Sequence, residues 1–371
     1  MPTGMNSRFS PWLPTIAALI ITMVLACAAL VAMPQVLNIL TLAPAPPQLP
    51  TAAVAGTTIK IPTPRPTLSL KCPNGDCANA CLSKLSTLPQ TSGSSEARPK
   101  AAGQGSRGMP AQILVTYPLN GDALGLPTYS GQVSAALAQL QHDTLTQKRI
   151  WDYFSAIIPA DQRSELVSYI ISTDGHGGML ASVEHYSSPP EAWALVVDSA
   201  DVGKPRDLTF TLLHEFGHLL TLNGSQVTPN QAVLDNPDDL QVYEKEAASC
   251  GSYFAAGGCS RPDSYINQFF DRFWTKLFGE WSAVNAARND ADYTALLAQF
   301  YRSHPTQFVT FYASTSPEED MAETWSSFVL NPKPVDDSIA HEKILFFYDY
   351  PELVDLRNQI ISGICTYAST Q

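Results

Sequence analysis

A short motif with two histidines and one glutamate holds the residue types in this chain that best suit chemistry. Residues 213–219 read Leu-His-Glu-Phe-Gly-His-Leu. On a helix, His214 and His218 project from one face about a turn apart, so both imidazoles can reach one ion. Imidazole suits Zn²⁺, and Glu215 is placed to take a proton from water at that ion. The motif predicts a zinc-dependent hydrolytic site, and the alternative interpretation is a buried helix whose histidines make ordinary hydrogen bonds.

A third protein ligand is needed, because a catalytic zinc site holds three side chains and leaves the fourth position open. No histidine lies near Gly224, where a longer form of the motif would have one. We therefore expect a carboxylate from further along the chain. Glu244 and Glu246 are candidates, but neither is followed by a second acid four residues later.

Glu319 is the preferred third ligand, within a segment whose pattern predicts a helix over residues 317–330. Ser316 suits the N-cap position, and a proline follows at the first helical position. Glu319 and Glu323 then share one face, so Glu319 could bind the metal while Glu323 accepts a hydrogen bond from a ligand histidine. The alternative is a capping box formed by Ser316 and Glu319, with the acids complementing the helix dipole.

Together the two motifs resemble the gluzincin zinc metallopeptidases of the anthrax lethal factor type. The resemblance rests on HEFGH and on the later pattern Tyr-x-x-Thr-x-x-x-Glu-x-x-Ala-Glu, which begins at Tyr312. It implies a zincin-like fold, endopeptidase activity, one Zn²⁺ ion and a peptide or protein substrate. It also implies that Glu215 is the general base, that Tyr312 stabilises the transition state and that Glu323 is a supporting acid. The implied metal ligands are His214, His218 and Glu319.

The elements that position these residues show alternating strand and helix patterns. Strand patterns cover residues 112–117, 179–186 and 192–198, and helical periodicity covers 130–143, 145–157 and 160–172. A further helix follows Pro205 and runs to about Leu222, with Asp207 placed to cap it. Mostly helical patterns follow residue 239. This order predicts an α+β fold with a small sheet beside a mostly helical C-terminal part.

The strand over residues 192–198 lies just before the helix that carries the histidines. As an edge strand it would pair with an extended peptide substrate through its backbone. Its apolar sequence, Ala-Trp-Ala-Leu-Val-Val-Asp, fits a buried strand as well. Both interpretations remain open at this point.

The N-terminal part of the chain differs in composition from the rest, because residues 9–59 contain no Asp, Glu, Lys or Arg. Residues 12–33 suit a transmembrane helix, and the basic residue before them predicts a cytoplasmic location for 1–11. A cleaved signal peptide or lipid attachment at Cys27 are the alternatives. Residues 34–109 are rich in Pro, Ser and Gly, which predicts a stalk. Residues 110–371 would then form a metallopeptidase domain outside the cytoplasm.

The seven cysteines favour disulfides, because the predicted compartment is oxidising. Cys250 and Cys259 flank a short loop and are the most plausible pair. Cys365 is expected to bond with one cysteine of the stalk cluster, and the sequence leaves the choice open. That cluster contains Cys72, Cys77 and Cys81.

The charge and composition exclude two classes of protein. Lys and Arg number 22 against 34 Asp and Glu, and the isoelectric point is about 4.9, so the chain lacks the basic surface of a nucleic-acid binder. Its 45% hydrophobic content excludes a wholly disordered chain. We predict a membrane-anchored, extracytoplasmic zinc endopeptidase. The alternative is a non-catalytic surface protein on a stalk, with a structural or vestigial metal site or with no metal.

Overall fold

The computed structural model describes residues 76–85, 112–175, 180–186, 189–202, 204–236, 239–255, 257–287 and 289–370. The predicted cytoplasmic segment 1–11 and transmembrane segment 12–33 lie outside these ranges, as does most of the predicted stalk 34–109. Within the described ranges, no helix is both long and apolar enough to cross a bilayer. The described residues form a mixed α+β fold with a largely helical C-terminal part, which confirms the predicted fold class at that level.

Six strands form the main sheet. They are β1 (Gln112–Asn120), β2 (Ala123–Leu124), β3 (Thr128–Tyr129), β4 (Leu166–Thr173), β5 (Ala181–His185) and β6 (Trp193–Asp198). Their spatial order is β2-β1-β4-β6-β5, and β3 also pairs with β1. Strands β4 and β6 are parallel, and the other pairs are antiparallel. The three strand patterns expected from the sequence are confirmed by β1, β5 and β6.

Strand β4 contradicts the helix predicted over residues 160–172. Only Ala160–Arg163 is helical there, as a short 3₁₀ turn, and β4 begins at Leu166. The prediction is wrong because β4 lies between β1 and β6 and is buried on both faces except at Val167. A strand buried on both faces loses the alternation of polar and apolar residues that identifies a strand in sequence.

Strand β6 is an interior strand of the sheet. It lies between β4 and β5, and all six of its residues are buried. The interpretation of residues 192–198 as an edge strand is therefore wrong, and the interpretation as a buried strand is confirmed. Strand β5 lies at the end of the strand order instead.

Twelve α-helices lie within the described ranges. They are α1 (Cys77–Leu82), α2 (Ala135–Gln141), α3 (Thr144–Ile157), α4 (Pro205–Leu222), α5 (Gln231–Asp235), α6 (Leu240–Ser249), α7 (Tyr265–Phe273), α8 (Phe278–Asn285), α9 (Asp290–Ser303), α10 (Pro317–Leu330), α11 (Ile339–Phe346) and α12 (Pro351–Ser369). A small second sheet contains β7 (Val227–Pro229), β8 (Phe254–Ala255) and β9 (Gly258–Ser260). Helix α10 has the bounds predicted from its N-cap and proline.

Helices α4 and α10 pack against each other at very short range. A Cβ atom added to Gly217 of α4 would lie 3.1 Å from Cα of Ala322 and 3.2 Å from a ring carbon of Trp325, both on α10. Ring contact between Phe216 and Trp325 extends the interface, with centroids 6.0 Å apart. All residues of α10 are buried. The absence of a side chain at Gly217 thus brings the two motif-bearing helices together.

Two disulfides lie within the described residues, one closing a short loop and one joining distant segments of the chain. Cys250 bonds with Cys259, which confirms the predicted pair. Cys81 bonds with Cys365 and joins α1 to α12, which confirms the expected link to the cysteine cluster and selects its member. Ala78 and Leu82 of α1 are buried in the main core. Residues 76–85, within the predicted stalk, therefore pack as part of the globular structure.

Candidate metal centre

Helix α4 holds the histidine motif inside the protein. It begins at Pro205, whose missing N–H is tolerated at the first helical position, and Lys204 is its N-cap residue. Asp207 lies within the first turn, so the prediction that Asp207 caps this helix is wrong. Every residue from Leu212 to Leu222 is buried. Neighbours on all sides therefore fix the orientation of the histidines.

His214 and His218 point at a common position, as their spacing predicts. Their ring centroids are 4.8 Å apart, and their Nε2 atoms are separated by 3.1 Å. Both residues are more than nine-tenths buried. Two Nε2 atoms at this separation can both bind one ion at about 2.0–2.1 Å.

Glu319 completes the group from helix α10. Its Oε2 atom lies 2.9 Å from Nε2 of His214 and 3.4 Å from Nε2 of His218. Ser316 caps the helix by accepting a hydrogen bond from the backbone N–H of Glu319, at 3.2 Å. Glu319 therefore takes part in the cap and still reaches the candidate metal position. Its backbone N–H bonds with Ser316, and its carboxylate points toward α4.

The spacing of these three atoms suits a metal ion. Bonds of about 2.0–2.1 Å in a tetrahedral arrangement separate ligand atoms by about 3.3 Å. The observed separations are 2.9, 3.1 and 3.4 Å. His214, His218 and Glu319 therefore form a group that could hold a metal ion. The rival Glu246 is engaged elsewhere, since it accepts hydrogen bonds from Asn230 and Lys245, and Glu244 is exposed.

Glu323 supports the far side of the His214 ring. Its Oε1 atom lies 2.9 Å from Nδ1 of His214, and the residue is 1% exposed. This is the position at which a carboxylate fixes the orientation and tautomer of a ligand imidazole. Nδ1 of His218 is also buried, and it has no hydrogen-bond partner in the described part of the chain.

Glu215 lies beside the three candidate ligands and is itself buried. Burial raises the pKa of Glu215 to about 7, although the charges of His214 and His218 oppose the shift. The backbone N–H of Val183 in β5 donates a hydrogen bond to its carboxylate. A carboxyl group with a pKa near neutrality can both accept and release a proton at physiological pH.

Tyr312 approaches the same place from a 3₁₀ turn, Tyr312–Ser314, just before α10. Its ring centroid lies 5.6 Å from that of His214. Burial holds the pKa of Tyr312 well above its usual value, and the negative charges of Glu319, Glu215 and Glu323 raise it further. The phenol therefore keeps its proton and remains a hydrogen-bond donor. All six residues predicted for the site come together, and their roles in catalysis remain predictions.

The charges in the metal-free site balance one another through proton transfer. Burial by itself would lower the pKa of His214, but hydrogen bonds to Glu319 and Glu323 hold it well above its usual value. Burial would likewise raise the pKa of Glu319, but His218 and His214 hold it far below its usual range. Without a metal, His214 is thus an imidazolium between two carboxylates.

Sequence reasoning missed several residues around the site. Thr310 donates a hydrogen bond to Oε2 of Glu323 at 2.6 Å, and Val183 reaches Glu215 from the sheet. Burial and the charge of Glu319 raise the pKa of Tyr293 to about 12. None of these residues belongs to a local motif, because each reaches the site from a separate part of the chain. The position of Thr310, two residues before Tyr312, is the one feature of the sequence that could have associated one of these three residues with the site.

A second group of acids lies outside this site. Carboxylate oxygens of Asp174, Asp198 and Asp201 lie within 4.8 Å of one another, where strands β4 and β6 end. Asp198 uses one oxygen to accept from the backbone N–H of Asp174 and the other to accept from Ala200. These bonds assign Asp198 a role in holding the two strand ends together.

Comparisons with known proteins complete the description of the site. The resemblance to gluzincins rests on the HEFGH motif of α4 and on the segment from Tyr312 to Glu323. It stays a prediction for this chain. No protein-family model, no curated protein and no solved structure matches the chain.

Proposed function

We propose that this protein is a zinc-dependent endopeptidase. The observation that carries the proposal is the convergence of His214, His218 and Glu319 within 3.4 Å of one another, beside the buried carboxylate of Glu215. Two imidazoles and one carboxylate are a ligand set of zinc hydrolases, with one position left for substrate or water. His214, His218 and Glu319 would hold a zinc ion there, which would supply polarisation of a peptide carbonyl and activation of a water molecule.

Glu215 is the general base and later the general acid. Its carboxylate takes a proton from the attacking water and delivers it to the nitrogen of the leaving amine. The pKa of about 7, caused mainly by burial, suits both steps, because neither protonation state is strongly favoured at neutral pH. The N–H of Val183 fixes one side of the carboxylate during the transfer.

Tyr312 donates a hydrogen bond to the carbonyl oxygen of the substrate. In the metal-free site a hydrogen bond to Glu319 helps to raise its pKa, so the phenol changes partner when a substrate enters. The bond strengthens as negative charge develops on the carbonyl oxygen, which lowers the barrier selectively. The neighbouring carboxylates keep the phenol from ionising, so the donor is retained at physiological pH.

Strand β5 provides the backbone against which an extended peptide can lie. It pairs with β6 on one side and ends the strand order of the main sheet. The hydrogen bond from Val183 to the carboxylate of Glu215 supports this proposal, because it joins the strand to the candidate site. An edge strand binds a peptide through main-chain hydrogen bonds and so selects an extended conformation with little regard to sequence.

The enzyme is anchored in a membrane through residues 12–33, with its catalytic part outside the cytoplasm. The bonds Cys81–Cys365 and Cys250–Cys259 support an oxidising compartment, where disulfides persist. Cell fractionation combined with protease treatment of intact cells tests this assignment. Recovery of the chain from the cytoplasm in a soluble, protease-protected form would contradict it.

Zinc content and replacement of Glu215 test the enzyme assignment. We expect the purified full chain to hold one zinc ion and to cleave a denatured protein such as casein until zinc is chelated. Glu215→Gln should keep the zinc and lower the cleavage rate by about 10²–10⁴-fold, because the proton carrier is lost. Glu244→Gln, on the exposed face of α6, is the matched control and should keep full activity.

Two outcomes would overturn the enzyme assignment. One is a wild-type chain without stoichiometric zinc, and the other is a Glu215→Gln variant as active as the wild type. Stoichiometric zinc without any cleavage would favour the alternative, a non-catalytic surface protein with a structural metal.

A further inference from the structure

Thr310 connects two parts of the candidate site through a single hydroxyl group. Its Oγ1 atom donates a hydrogen bond to Oε2 of Glu323 at 2.6 Å. The same oxygen accepts a hydrogen bond from the backbone N–H of Ala313 at 3.0 Å. Ala313 belongs to the 3₁₀ turn that carries Tyr312. The hydroxyl of Thr310 thus connects the turn that carries Tyr312 with Glu323 on α10.

The other oxygen of Glu323 continues this connection to the candidate metal ligand. Oε1 lies 2.9 Å from Nδ1 of His214. A carboxylate that is held at only one oxygen can rotate about its terminal torsion, which is broad. A hydrogen bond at Oε2 restricts that rotation and so fixes the direction from which Oε1 meets the imidazole.

Water cannot replace the hydroxyl easily, because Glu323 is 1% exposed. Nδ1 of His218 is buried as well, and it has no hydrogen-bond partner among the described residues. The carboxylate of Glu323 therefore supports the His214 imidazole from the side opposite the candidate metal position.

We propose that Thr310 is a positioning residue that sets the orientation of the His214 imidazole through Glu323 and anchors the turn of Tyr312 at the same time. This inference rests on the proposed zinc site, and it adds a residue that no motif in the sequence identifies. Residues that orient a metal ligand typically change metal affinity by about 10–100-fold when replaced. Thr310 acts through one intermediate residue, so the lower end of that range, about tenfold, applies.

Thr315 offers a matched control in the same turn. Its hydroxyl donates to the carbonyl oxygen of Tyr312 at 2.7 Å, a bond confined to the turn. Thr315→Val and Thr310→Val each remove one hydroxyl and keep the shape of the side chain. Thr315→Val removes a hydrogen bond of the turn alone, whereas Thr310→Val also removes the hydrogen bond to Glu323.

The experiment measures zinc affinity of the full chain by competition with a chromogenic chelator, together with the visible spectrum of the Co²⁺-substituted protein. We expect Thr310→Val to bind zinc about tenfold more weakly and to shift the Co²⁺ spectrum, because the ligand geometry changes. Thr310→Ser keeps the hydroxyl and should restore both properties. Thr315→Val should stay close to wild type in both.

Three results would overturn the inference. Equal zinc affinities for Thr310→Val and Thr315→Val would assign the effect to the turn, and failure of Thr310→Ser to restore affinity would exclude the hydroxyl as the cause. A wild-type chain that binds no zinc would refute the proposed function as well, so the two failures are distinguishable. Urea unfolding of each variant identifies any that are misfolded, and Thr310→Ala, which also lacks the hydroxyl, replaces Thr310→Val if that variant is among them.

Discussion

Glu319 and Asp320 are neighbours on helix α10, and both carboxylates are buried, yet their charges are balanced in different ways. Asp320 accepts hydrogen bonds from Nζ of Lys343 and from Nε1 of Trp274, the latter at 2.8 Å. Glu319 instead faces the two imidazoles of α4. The protein supplies a permanent internal cation to one acid, and it gives the other acid partners that can bind either a proton or a metal.

The environment of Lys343 is complete without any external group. The residue is fully buried, and its Nζ also donates to the carbonyl oxygen of Gln307 at 2.7 Å. Nζ lies 4.4 Å from the centroid of the Phe308 ring, where a cation is attracted by the ring. Burial lowers the pKa of Lys343, and Asp320 opposes that shift. Asp320 therefore has a structural role, whereas the imidazole partners of Glu319 can bind a metal ion in place of a proton.

Removal of the internal cation is expected to have the largest effect. Lys343→Met leaves the carboxyl group of Asp320 buried without its ionic partner, and burial already raises the pKa of Asp320 to about 6. The loss of the pair should lower the free energy of unfolding by about 3–5 kcal/mol. Urea unfolding monitored by fluorescence measures the loss. The double variant Asp320→Leu with Lys343→Met should recover most of it, because an apolar pair needs no charge balance. If the free energy of unfolding of Lys343→Met lies within about 1 kcal/mol of the wild-type value, this pair is not needed for stability.

Addition of zinc should change the free energy of unfolding by a smaller amount, and this change should depend on Glu319 rather than on Asp320. At a free zinc concentration of about 100 times Kd, wild type should gain about 2.7 kcal/mol in unfolding free energy over the chelated protein. Glu319→Gln should gain almost nothing, because one of three ligands is lost. Glu246→Gln, whose carboxylate bonds with Asn230 outside the site, is the control and should respond as wild type does. An equal gain in Glu319→Gln would contradict the ligand assignment.

A pH dependence of zinc affinity should be the smallest effect. Hydrogen bonds to Glu319 and Glu323 hold the pKa of His214 well above its usual value in the metal-free protein, so zinc must displace a proton. Zinc affinity should rise with pH by up to about tenfold per pH unit, or about 1.4 kcal/mol, until pH exceeds that pKa. Over the same range the metal-free protein loses the stabilisation that protonated His214 contributes, which is fully present below its unfolded pKa.

Calorimetry of zinc binding in buffers with different ionisation enthalpies counts the displaced proton. Glu323→Gln removes one of the two carboxylates that raise the pKa of His214, so its affinity should level off at a lower pH. The double variant at positions 320 and 343 should keep the wild-type slope. Equal zinc affinity at pH 6 and pH 8 would contradict the protonated state of His214.

The two acids also differ in how far the sequence reveals them. The sequence indicates Glu319 as a ligand because Glu323 follows four residues later and because an N-cap residue, Ser316, precedes it, and both are local features of one helix. The pairing of Asp320 with Lys343 has no such signal, since Lys343 lies on α11 and only packing brings it to α10. The choice of Cys81 as the partner of Cys365 was open for the same reason.

The errors in the fold have related causes. Strand β4 was mistaken for a helix because burial on both faces removes the alternation by which a strand is recognised. The edge position belongs to β5 rather than β6, and strand order depends on contacts between residues far apart in sequence. Local patterns locate elements well when one face is buried and one is exposed, and they fail in the centre of a sheet.

The sequence by itself determined the helices α4 and α10 and the side chains that each presents on one face. A helix has a fixed period of 3.6 residues, so spacing alone places His214 with His218 and Glu319 with Glu323. Only the tertiary structure decided that these two faces meet, through close packing of Gly217 on Ala322. It also decided that Thr310 reaches Glu323 and that Lys343 neutralises Asp320. Such contacts depend on how whole elements pack, and no local spacing encodes that packing.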